Sequence, residues 1–532
     1  MLRIAKAASV GVLLLAAISI SAATTPSDDR TITHVLNRVA FGPRPGDLDR
    51  VRAMGLTQYI EQQLHPERIA DAAADARLAA YPTLTMNARD IAEQFEIPQI
   101  QARQAKKQAA AAQADEPDMK APRAPDSQLQ KGNRVLIELA EAKLVRAVYS
   151  ERQLQEVLTD FWFNHFNVDA RKGRDRFLLT EYERDAIRPR VLGKFRDLLE
   201  ATAKSPAMLF YLDNWMSADP NGPHMDERAR PFARRPFGGR VMPPPPQPQG
   251  KNARRGLNEN YAREVMELHT LGVDGGYTQK DVTEVARAFT GWTIQNPRQG
   301  AAFRFEPRIH DPGEKMVLGH RIRAGGGEDD GEQVLDILAA HPSTAHFVAT
   351  KLVRRFVSDT PPAALVDRAA ARFRDTHGDL REVMRTILTS SELLSADAYR
   401  AKVKTPFEFV VSALRATAAD VREAAPLVRA MQQLGMPLYM CQPPTGYKDT
   451  ADAWVNTGAL VNRMNFALAL ADGKVPGVAI ASRDAIGGSA EEAVAALLGG
   501  DASESTRATI GKAANAPQLA AFTLGAPEFQ RR

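Results

Sequence analysis

Two polar side chains lie within an aromatic run. Residues 161–166 read Phe-Trp-Phe-Asn-His-Phe, and on a helical wheel Asn164 and His165 fall on or at the edge of an apolar arc. The arc contains Leu154, Val157, Leu158, Phe161 and Val168. Polar groups on an apolar face must find hydrogen-bond partners or cost a few kcal/mol. Two interpretations stay open: a satisfied core pair that orients neighbouring helices, or an aromatic-lined site with His165 as acid, base or metal ligand.

A second group of polar side chains lies within residues 258–269, which read Asn-Glu-Asn-Tyr-Ala-Arg-Glu-Val-Met-Glu-Leu-His. The helical wheel predicts a buried arc of Leu257, Tyr261, Val265, Leu268 and Leu271. Glu264 falls within this arc, Asn260 and Glu267 lie at its edge, and His269 lies beyond the opposite edge. A carboxylate among apolar neighbours has a raised pKa or an ion partner. Glu264 and Glu267 are therefore candidate acid/base residues, with structural ion pairs with arginine as the alternative.

The spacing of these residues matches no established metal motif. The sequence contains no His-Glu-x-x-His, and the carboxylates at 264 and 267 lack the Glu-x-x-His partner of di-iron helical bundles. A metal site would have to be assembled from separate helices, for example from His165 and Glu264. The sequence therefore leaves the metal, and any other cofactor, unidentified.

Three further residues are candidate binding groups. His310 precedes Asp311 at the tip of a predicted β-hairpin, where the pair either caps the turn or lines a cleft. Lys351 and Arg355 share one side of a predicted helix at residues 345–356 with Arg354. Such a basic stripe is either a solvated face or a surface that meets an anion or a buried carboxylate.

The elements that must position these residues are mostly helices. Apolar residues recur at helical spacing almost throughout, which predicts a mainly α, multi-helical globular protein. Strand-like alternation is clearest in residues 303–305 and 316–318, separated by Asp-Pro-Gly at 311–313, so we expect one small β-hairpin near residues 301–320. Thr278 with Asp281 three residues later predicts a capping box at a helix start.

Two segments depart from the helical pattern. Residues 104–130 are rich in Ala, Gln, Lys, Asp and Pro, and residues 219–255 are rich in Arg and Pro. Neither contains enough apolar surface to offset the entropy of ordering, so both are predicted to be disordered insertions. The first segment has an alternative interpretation as the fraying end of a long helix.

The sequence divides into consecutive regions. Residues 1–23 are predicted to be a signal peptide, 24–103 an N-terminal helical part, 104–130 the first insertion, 131–470 the main helical domain with the loop 219–255 inside it, and 471–532 a C-terminal helical tail.

The N-terminal residues predict export to the periplasm or the extracellular space. Arg3 and Lys6 precede a short apolar run at residues 10–20 and small residues at 21–23, the order typical of a secretory signal peptide. The run is shorter than the roughly 20 apolar residues that span a bilayer, and a retained anchor is the alternative. No other stretch is apolar enough for a membrane helix. Cys441 is the only cysteine, so stability must come from a core and not from disulfides.

Composition and motifs exclude several classes. The formal net charge of +5 falls by two when Arg3 and Lys6 are removed, and no concentrated basic stripe of the kind that binds nucleic acid remains. The chain also lacks the Gly-x-Ser-x-Gly elbow of α/β hydrolases and a dinucleotide-binding fingerprint.

Five stretches of the sequence resemble the DUF1800 family, a group of exported bacterial proteins without an established function. They are residues 34–43, 161–168, 258–293, 310–319 and 341–356, and the most specific is the Asn-Glu-Asn-Tyr-Ala-Arg-Glu segment that begins at Asn258. The resemblance runs from about residue 33 to about residue 470. It implies an exported protein and a partner from a second exported family, DUF1501, whose fold resembles sulfatases. It assigns no catalytic residue.

Three functional hypotheses follow. In the first, the protein is an exported enzyme with His165, Glu264 and Glu267 as catalytic residues; its binding residues are Asn164, Asn260, His269, His310, Lys351 and Arg355. The second is a non-catalytic scaffold that binds a DUF1501-like protein. The third is an envelope- or glycan-binding module that uses the aromatic side chains of Tyr211, Trp215 and Trp454. Only the first predicts that the polar side chains converge on one open cleft.

Overall fold

Apolar side chains at helical spacing form helices throughout the part of the chain that the computed structural model describes. The described residues are 28–115, 131–222, 256–296, 301–480 and 487–532. The mainly α, multi-helical class is confirmed, because helices dominate these ranges and the strands within them form only two-stranded sheets. No helix in the described ranges is long and apolar enough to cross a membrane.

The helices are numbered in chain order. The first part contains α1 (Asp29–Val39), α2 (Asp47–Met54), α3 (Leu56–Gln63), α4 (Ala72–Leu78), α5 (Ala88–Ile91), α6 (Ile97–Asp115), α7 (Arg134–Tyr149), α8 (Gln153–His165), α9 (Leu179–Glu181), α10 (Phe195–Ala203) and α11 (Pro206–Tyr211). The second part contains α12 (Glu259–Met266), α13 (Gln279–Ala288), α14 (Glu328–Ala340), α15 (Pro342–Phe356), α16 (Ala363–Asp375), α17 (Leu380–Leu388), α18 (Pro406–Ala416), α19 (Ala425–Gln433), α20 (Thr457–Ala471), α21 (Ala490–Leu498), α22 (Glu504–Ile510), α23 (Ala516–Gly525) and α24 (Pro527–Gln530).

Capping side chains fix where several helices begin. The predicted capping box of α13 is confirmed: the Thr278 side chain accepts from the Asp281 amide, and the Asp281 carboxylate accepts from the Thr278 amide at 2.9 Å. Thr405 and Glu408 form the same arrangement at the start of α18. Because the first turn of a helix leaves amide groups without partners, these side chains set the helix start.

A single hydrophobic cluster extends through most of the described chain. It includes Ile32 from α1, Phe529 from α24 and buried side chains from most of the longer helices between them. Helix α1 also makes polar contacts with a distant segment: His34 Nε2 lies 2.8 Å from the Leu393 carbonyl, and Arg38 donates to the Ala398 carbonyl at 2.7 Å. Residues more than 350 positions apart are therefore neighbours in the core.

The strands correct the predicted hairpin. Strand β1 (Trp292–Ile294) pairs with β2 (Phe303–Phe305), and β3 (Lys315–Val317) pairs with β4 (His320–Ile322). A third antiparallel pair joins β5 (Ala419–Val421) to β6 (Val478–Ile480). The expected pairing of residues 303–305 with residues 316–318 is wrong, although both segments contain strands.

Backbone conformation explains this correction. Leu318 and Gly319 have φ angles of 49° and 81° and form the two-residue turn between β3 and β4. Positive φ at both central positions is the turn geometry that matches the twist of a short hairpin. Because leucine rarely adopts positive φ, the sequence did not indicate a turn there.

Both predicted disordered insertions fall partly outside the described residues. Residues 104–115 continue helix α6, so the alternative interpretation of a long helix is correct for them. Residues 116–130 and 223–255 lie outside the described ranges, as does the predicted signal peptide. Residues 219–222 form a turn that is tied to the body of the protein, because the Asp219 amide donates to the Ile309 carbonyl at 2.8 Å.

The C-terminal residues return to the centre of the fold. The Arg532 amide donates to the Lys402 carbonyl at 2.8 Å, and the Lys402 amide donates to the Arg532 carbonyl at 3.1 Å. This pairing holds Arg532 beside helices α15 and α18, where its side chain is buried.

Candidate functional site

A cleft opens where the C-terminal end of α8, one face of α15 and the loop 436–450 meet. Its volume is about 220 Å³. Helix α8 contributes Asn164 and His165, and α15 contributes Lys351, Arg354 and Arg355. Four of the predicted site residues, Asn164, His165, Lys351 and Arg355, therefore line the same cleft.

The His165 imidazole is held by a hydrogen bond at each ring nitrogen. Its Nε2 lies 3.1 Å from the His269 carbonyl, which can only accept, so Nε2 carries the proton. Its Nδ1 lies 2.9 Å from Lys351 Nζ and accepts from it. Burial, and then the neighbouring Lys351 charge, hold the pKa of His165 well below its usual range. His165 is therefore a neutral acceptor at physiological pH.

Lys351 is a cleft-lining amine that contacts the His165 ring. Its Nζ has no carboxylate within ion-pair distance among the described residues, and its hydrogen-bond partner there is His165. Burial lowers the pKa of Lys351 to about 8; the Asp449 carboxylate opposes this shift and the Arg354 guanidinium adds to it. An amine with this pKa exists in both protonation states near neutral pH.

Asn164 fastens the loop that forms the opposite wall. Its Nδ2 donates to the Tyr447 carbonyl at 2.8 Å, and its Oδ1 accepts from the Tyr447 amide at 2.7 Å. Gly446 has a φ of 72°, and a Cβ atom at this position would lie 2.2 Å from the Asn164 carbonyl oxygen. The polar side chain on the apolar arc is thus fully used in positioning Tyr447.

Substitution of Asn164 by alanine is expected to lower the unfolding free energy by about 1–3 kcal/mol, because both backbone groups of Tyr447 lose their partner. Urea unfolding measures this change. Asn462→Ala is the control, since that exposed amide makes one bond, to the Gln433 carbonyl at 3.2 Å, and should change stability by less than about 0.5 kcal/mol. Equal losses in the two variants would contradict a positioning role for Asn164.

A buried ion cluster lies beside the cleft and shares Arg355 and Asp449 with its lining. Arg355 pairs with Glu408, and Arg532 Nε lies 2.8 Å from Glu408 Oε1. Burial by itself raises the pKa of Glu408, but the charges of Arg355 and Arg532 outweigh it and hold that pKa well below its usual range. The Asp449 carboxylate lies 3.4 Å from Lys402 and 3.9 Å from Arg355. The basic stripe of α15 therefore meets a buried carboxylate at Arg355.

Arg354 differs from its neighbour. Within the described residues it makes no ion pair and no hydrogen bond, and its Nε atom is buried. Asp160, an acidic residue of the same cleft, is already paired with Lys143 at 2.6 Å. The cleft thus carries two cations, Lys351 and Arg354, without a carboxylate of their own.

The predicted acidic pair does not line this cleft. Glu267 accepts a hydrogen bond from the Tyr277 hydroxyl, and Asn260 is exposed. Glu264 is half-buried without a hydrogen-bond partner among the described residues, and burial followed by Glu267 raises its pKa. His269 is buried and contributes its carbonyl to His165, not its ring.

A change of helix type explains the misplaced arc. Residues Glu267–Leu271 form a π-helix, which places more residues in each turn than an α-helix. The side chains after Met266 are therefore rotated relative to the helical wheel. This rotation buries His269 and leaves Leu268 only half-buried, the reverse of the predicted order.

His310 belongs to a separate buried cluster. Its Nδ1 lies 2.8 Å from the Thr290 carbonyl and its Nε2 lies 3.1 Å from Asp330, which also pairs with Lys315 at 2.6 Å. Asp311 caps the turn by accepting from the Gly313 amide at 2.8 Å. The capping interpretation is therefore correct for Asp311.

Among the described residues, the predicted ones form neither a metal-binding group nor an exposed aromatic surface. Among the described residues no group of three or more His, Cys, Asp or Glu could hold a metal ion, so His165 and Glu264 belong to no such group. Tyr211 and Trp454 are buried and therefore present no exposed ring to a sugar. The Trp215 ring stacks on the Phe210 ring, with the two ring centroids 5.8 Å apart. Burial raises the pKa of the Cys441 thiol to about 11.

Several residues of the site were missed in the sequence. Tyr447 and Asp449 lie in a loop, and Glu408 and Arg532 are distant in sequence from α15. A detectable signal for the loop was its Pro- and Gly-rich composition between two helices. Glu408 gave no signal beyond its place in a capping box.

The fold and the cleft define a mainly helical protein with a small cationic site built around a lysine–histidine pair. A family model described as "Protein of unknown function (DUF1800)" matches residues 34–531, and the chain therefore belongs to the DUF1800 family. No curated protein and no solved structure matches the chain.

Proposed function

We propose that the cleft binds a small anionic molecule and that the protein is an enzyme in which Lys351 transfers protons. The observation that supports this proposal is the pair of cations, Lys351 and Arg354, that line the cleft without a carboxylate partner among the described residues. Leaving a cation partly desolvated and unpaired is costly, so such positions are favoured where a ligand supplies the opposite charge.

The arrangement of the two cations suits an anionic group. Lys351 and Arg354 are three residues apart on α15, so their side chains leave the same face of the helix. The acidic neighbours form their ion pairs with other cations, because Asp160 is paired with Lys143 and Asp449 is shared among Arg355, Lys402 and Arg532. A carboxylate or a phosphate group would accept hydrogen bonds from both cations.

An enzymatic role is supported by the chemistry of Lys351. A group with a pKa of about 8 can both accept and release a proton near neutral pH, as general acid–base catalysis requires. His165 orients the amine, and the His269 carbonyl fixes the imidazole in one tautomer. In this proposal His165 positions Lys351 and does not itself titrate. Glu264 and Glu267 remain candidate acid/base residues of a different region.

Arg354→Gln is expected to weaken anion binding by at least about tenfold, because one charge-assisted hydrogen bond is worth roughly 1.5–3 kcal/mol. Calorimetric titration of the purified protein with acetate and with inorganic phosphate measures the effect. Arg422→Gln serves as the control, since Arg422 is 74 % exposed and already paired with Asp420. An equal loss of anion affinity in both variants, or the absence of anion binding in the unaltered protein, would contradict the proposal.

Export is part of the proposed function. It is supported by the order of charge, apolar run and small residues at the N-terminus. We expect cleavage after Ala23 or, alternatively, after Ala22. N-terminal sequencing of protein recovered from the periplasm tests this; recovery of the full-length chain from the cytoplasm alone would contradict it.

Exposed apolar residues favour a second candidate, a non-catalytic scaffold that binds a DUF1501-like protein. Val455, Leu460, Val461 and Leu468, in and just before α20, are between 36 % and 52 % exposed. Surfaces of this kind mark protein contacts when they cluster. In this case Val461→Glu would abolish copurification with a DUF1501-like protein while Lys351→Met would not. Copurification that Val461→Glu leaves intact would contradict the scaffold and favour the enzyme.

A further inference from the structure

We propose that Lys351 is a nucleophilic amine that forms an imine with a small aldehyde or ketone, and that the acidic group of the same molecule binds to Arg354. This inference rests on the proposed function and names the class of ligand. It is carried by the position of one lysine relative to a histidine, an arginine and a cleft.

The partners of Lys351 set it apart from other buried lysines. Lys315 pairs with Asp330 at 2.6 Å and Lys402 pairs with Asp359 at 2.6 Å. A carboxylate at this distance favours the ammonium form over the neutral, nucleophilic amine. Lys351 instead donates to the Nδ1 atom of neutral His165, an acceptor that does not stabilise the ammonium form by charge.

Access to a cleft separates Lys351 from Lys404. Burial lowers the pKa of Lys404 to about 7, so its amine is also available in the neutral form. Lys404 lies over the Phe529 ring at 4.0 Å, however, and the space beside it is only about 20 Å³, which is about the room of a single water molecule. Lys351 opens to a cleft of about 220 Å³, which accommodates a small organic molecule.

The hydrogen bond to His165 leaves the reacting electron pair free. When Lys351 is neutral, one N–H donates to His165 Nδ1, and the lone pair on Nζ accepts a hydrogen bond from no donor among the described residues. Because the His269 carbonyl holds the opposite ring nitrogen, the imidazole cannot turn away. The amine is therefore presented to the cleft in a fixed direction.

The reaction balances without an oxidant or reductant. The Nζ atom of neutral Lys351 forms a bond to the carbonyl carbon, and a proton passes from nitrogen to the carbonyl oxygen, which gives a carbinolamine. Loss of this oxygen as water, together with the second amine proton, gives the carbon–nitrogen double bond. A negative charge on the ligand is matched by Arg354, one turn along α15.

The experiment traps the imine in the full mature protein. Glyoxylate, an aldehyde that carries a carboxylate, is added with cyanoborohydride, and the reduced adduct is located by peptide mass spectrometry. We expect the adduct at Lys351 to form at least ten times faster than at Lys448, which lines the same cleft but is 73 % exposed. Equal rates at the two lysines would overturn the inference.

Two variants separate chemistry from folding. Lys351→Arg retains a donor to His165 and a positive charge but cannot form the adduct, so it should lose labelling while its thermal unfolding stays close to that of the unaltered protein. Arg354→Gln should slow labelling by glyoxylate about tenfold and leave labelling by acetaldehyde, which has no acidic group, unchanged. Equal slowing with both aldehydes would overturn the role of Arg354.

The outcomes also distinguish this inference from the proposed function. Acetate binding that depends on Arg354, without an adduct at Lys351, would overturn the inference and support the proposed function. Absence of both binding and adduct would overturn both.

Discussion

Replacement of Glu408 by alanine is expected to lower the unfolding free energy by about 3–5 kcal/mol, because it leaves buried cations without their counter-charge. Glu408 is 5 % exposed, and it pairs with both Arg355 and Arg532. Its carboxylate also accepts from the Thr405 amide at 2.8 Å, so the capping box at the start of α18 loses one of its two hydrogen bonds. Arg532, in turn, is held in place by its pairing with Lys402 and cannot easily move to solvent.

Urea unfolding at neutral pH, followed by circular dichroism, measures this loss. Glu491→Ala is the matched control, since Glu491 is 72 % exposed and pairs with Arg507 at the surface. Exposed pairs contribute about 0–1 kcal/mol, so the control should be nearly unchanged. If the two substitutions cost the same, the buried cluster does not stabilise the fold in the way its geometry indicates.

The same cluster predicts the acid limit of stability. The pKa of Glu408 is lowered in the folded protein relative to its unfolded value of about 4.3. The ionised Glu408 carboxylate therefore makes its full contribution to the unfolding free energy above about pH 4.3. This contribution is lost as the pH falls towards the lower pKa of the folded protein. We expect the stability difference between the unaltered protein and Glu408→Gln to narrow below about pH 4. A difference that is constant across this range would exclude the ionised carboxylate as its source.

Substitution of Trp162 by alanine is expected to cost about 3–5 kcal/mol of unfolding free energy, the range for deletion of a large buried aromatic side chain. Trp162 is 1 % exposed and contacts the rings of Phe161, His165, Phe166 and Phe195 at centroid distances of 4.9–6.0 Å. The indole N–H donates to the Val191 carbonyl at 3.3 Å. A cavity here also removes the edge contact that supports the His165 ring.

Thermal and urea unfolding of Trp162→Ala measure the cost of the cavity. Trp215→Ala is the comparison, because Trp215 is half-buried and stacks on the Phe210 ring, so its loss should cost less than about half as much. If Lys351 is positioned through His165, labelling of Lys351 should also fall in Trp162→Ala and not in Trp215→Ala. Stability losses of equal size would contradict the burial that separates these two residues.

Local patterns in the sequence predicted the helices and part of the site. The apolar spacing around His165 and the basic stripe with Lys351 identified side chains that do meet in the structure. The amphipathic pattern is local, so it is visible in a single stretch of sequence. The predicted capping box at Thr278 followed from the same kind of short-range rule.

The remaining features depend on partners that no local pattern encodes. The His269 carbonyl and the Tyr447 backbone are acceptors that every residue possesses, so their use by His165 and Asn164 leaves no compositional signal. The π-helical turn after Met266 changed which side chains point inward, and the positive φ of Leu318 changed which strands pair. Tertiary packing decides both of these backbone choices.

The contacts of α1 with residues 393 and 398 have a consequence for the order of folding. His34 and Arg38 find their carbonyl partners only after about 360 further residues have been synthesised. Closing so long a loop is slow, and the earliest helix cannot complete its buried polar contacts while the chain is still growing. The buried polar contacts of α1 therefore form only after most of the chain has been synthesised. That delay agrees with the export that we propose, in which the chain crosses a membrane before it folds.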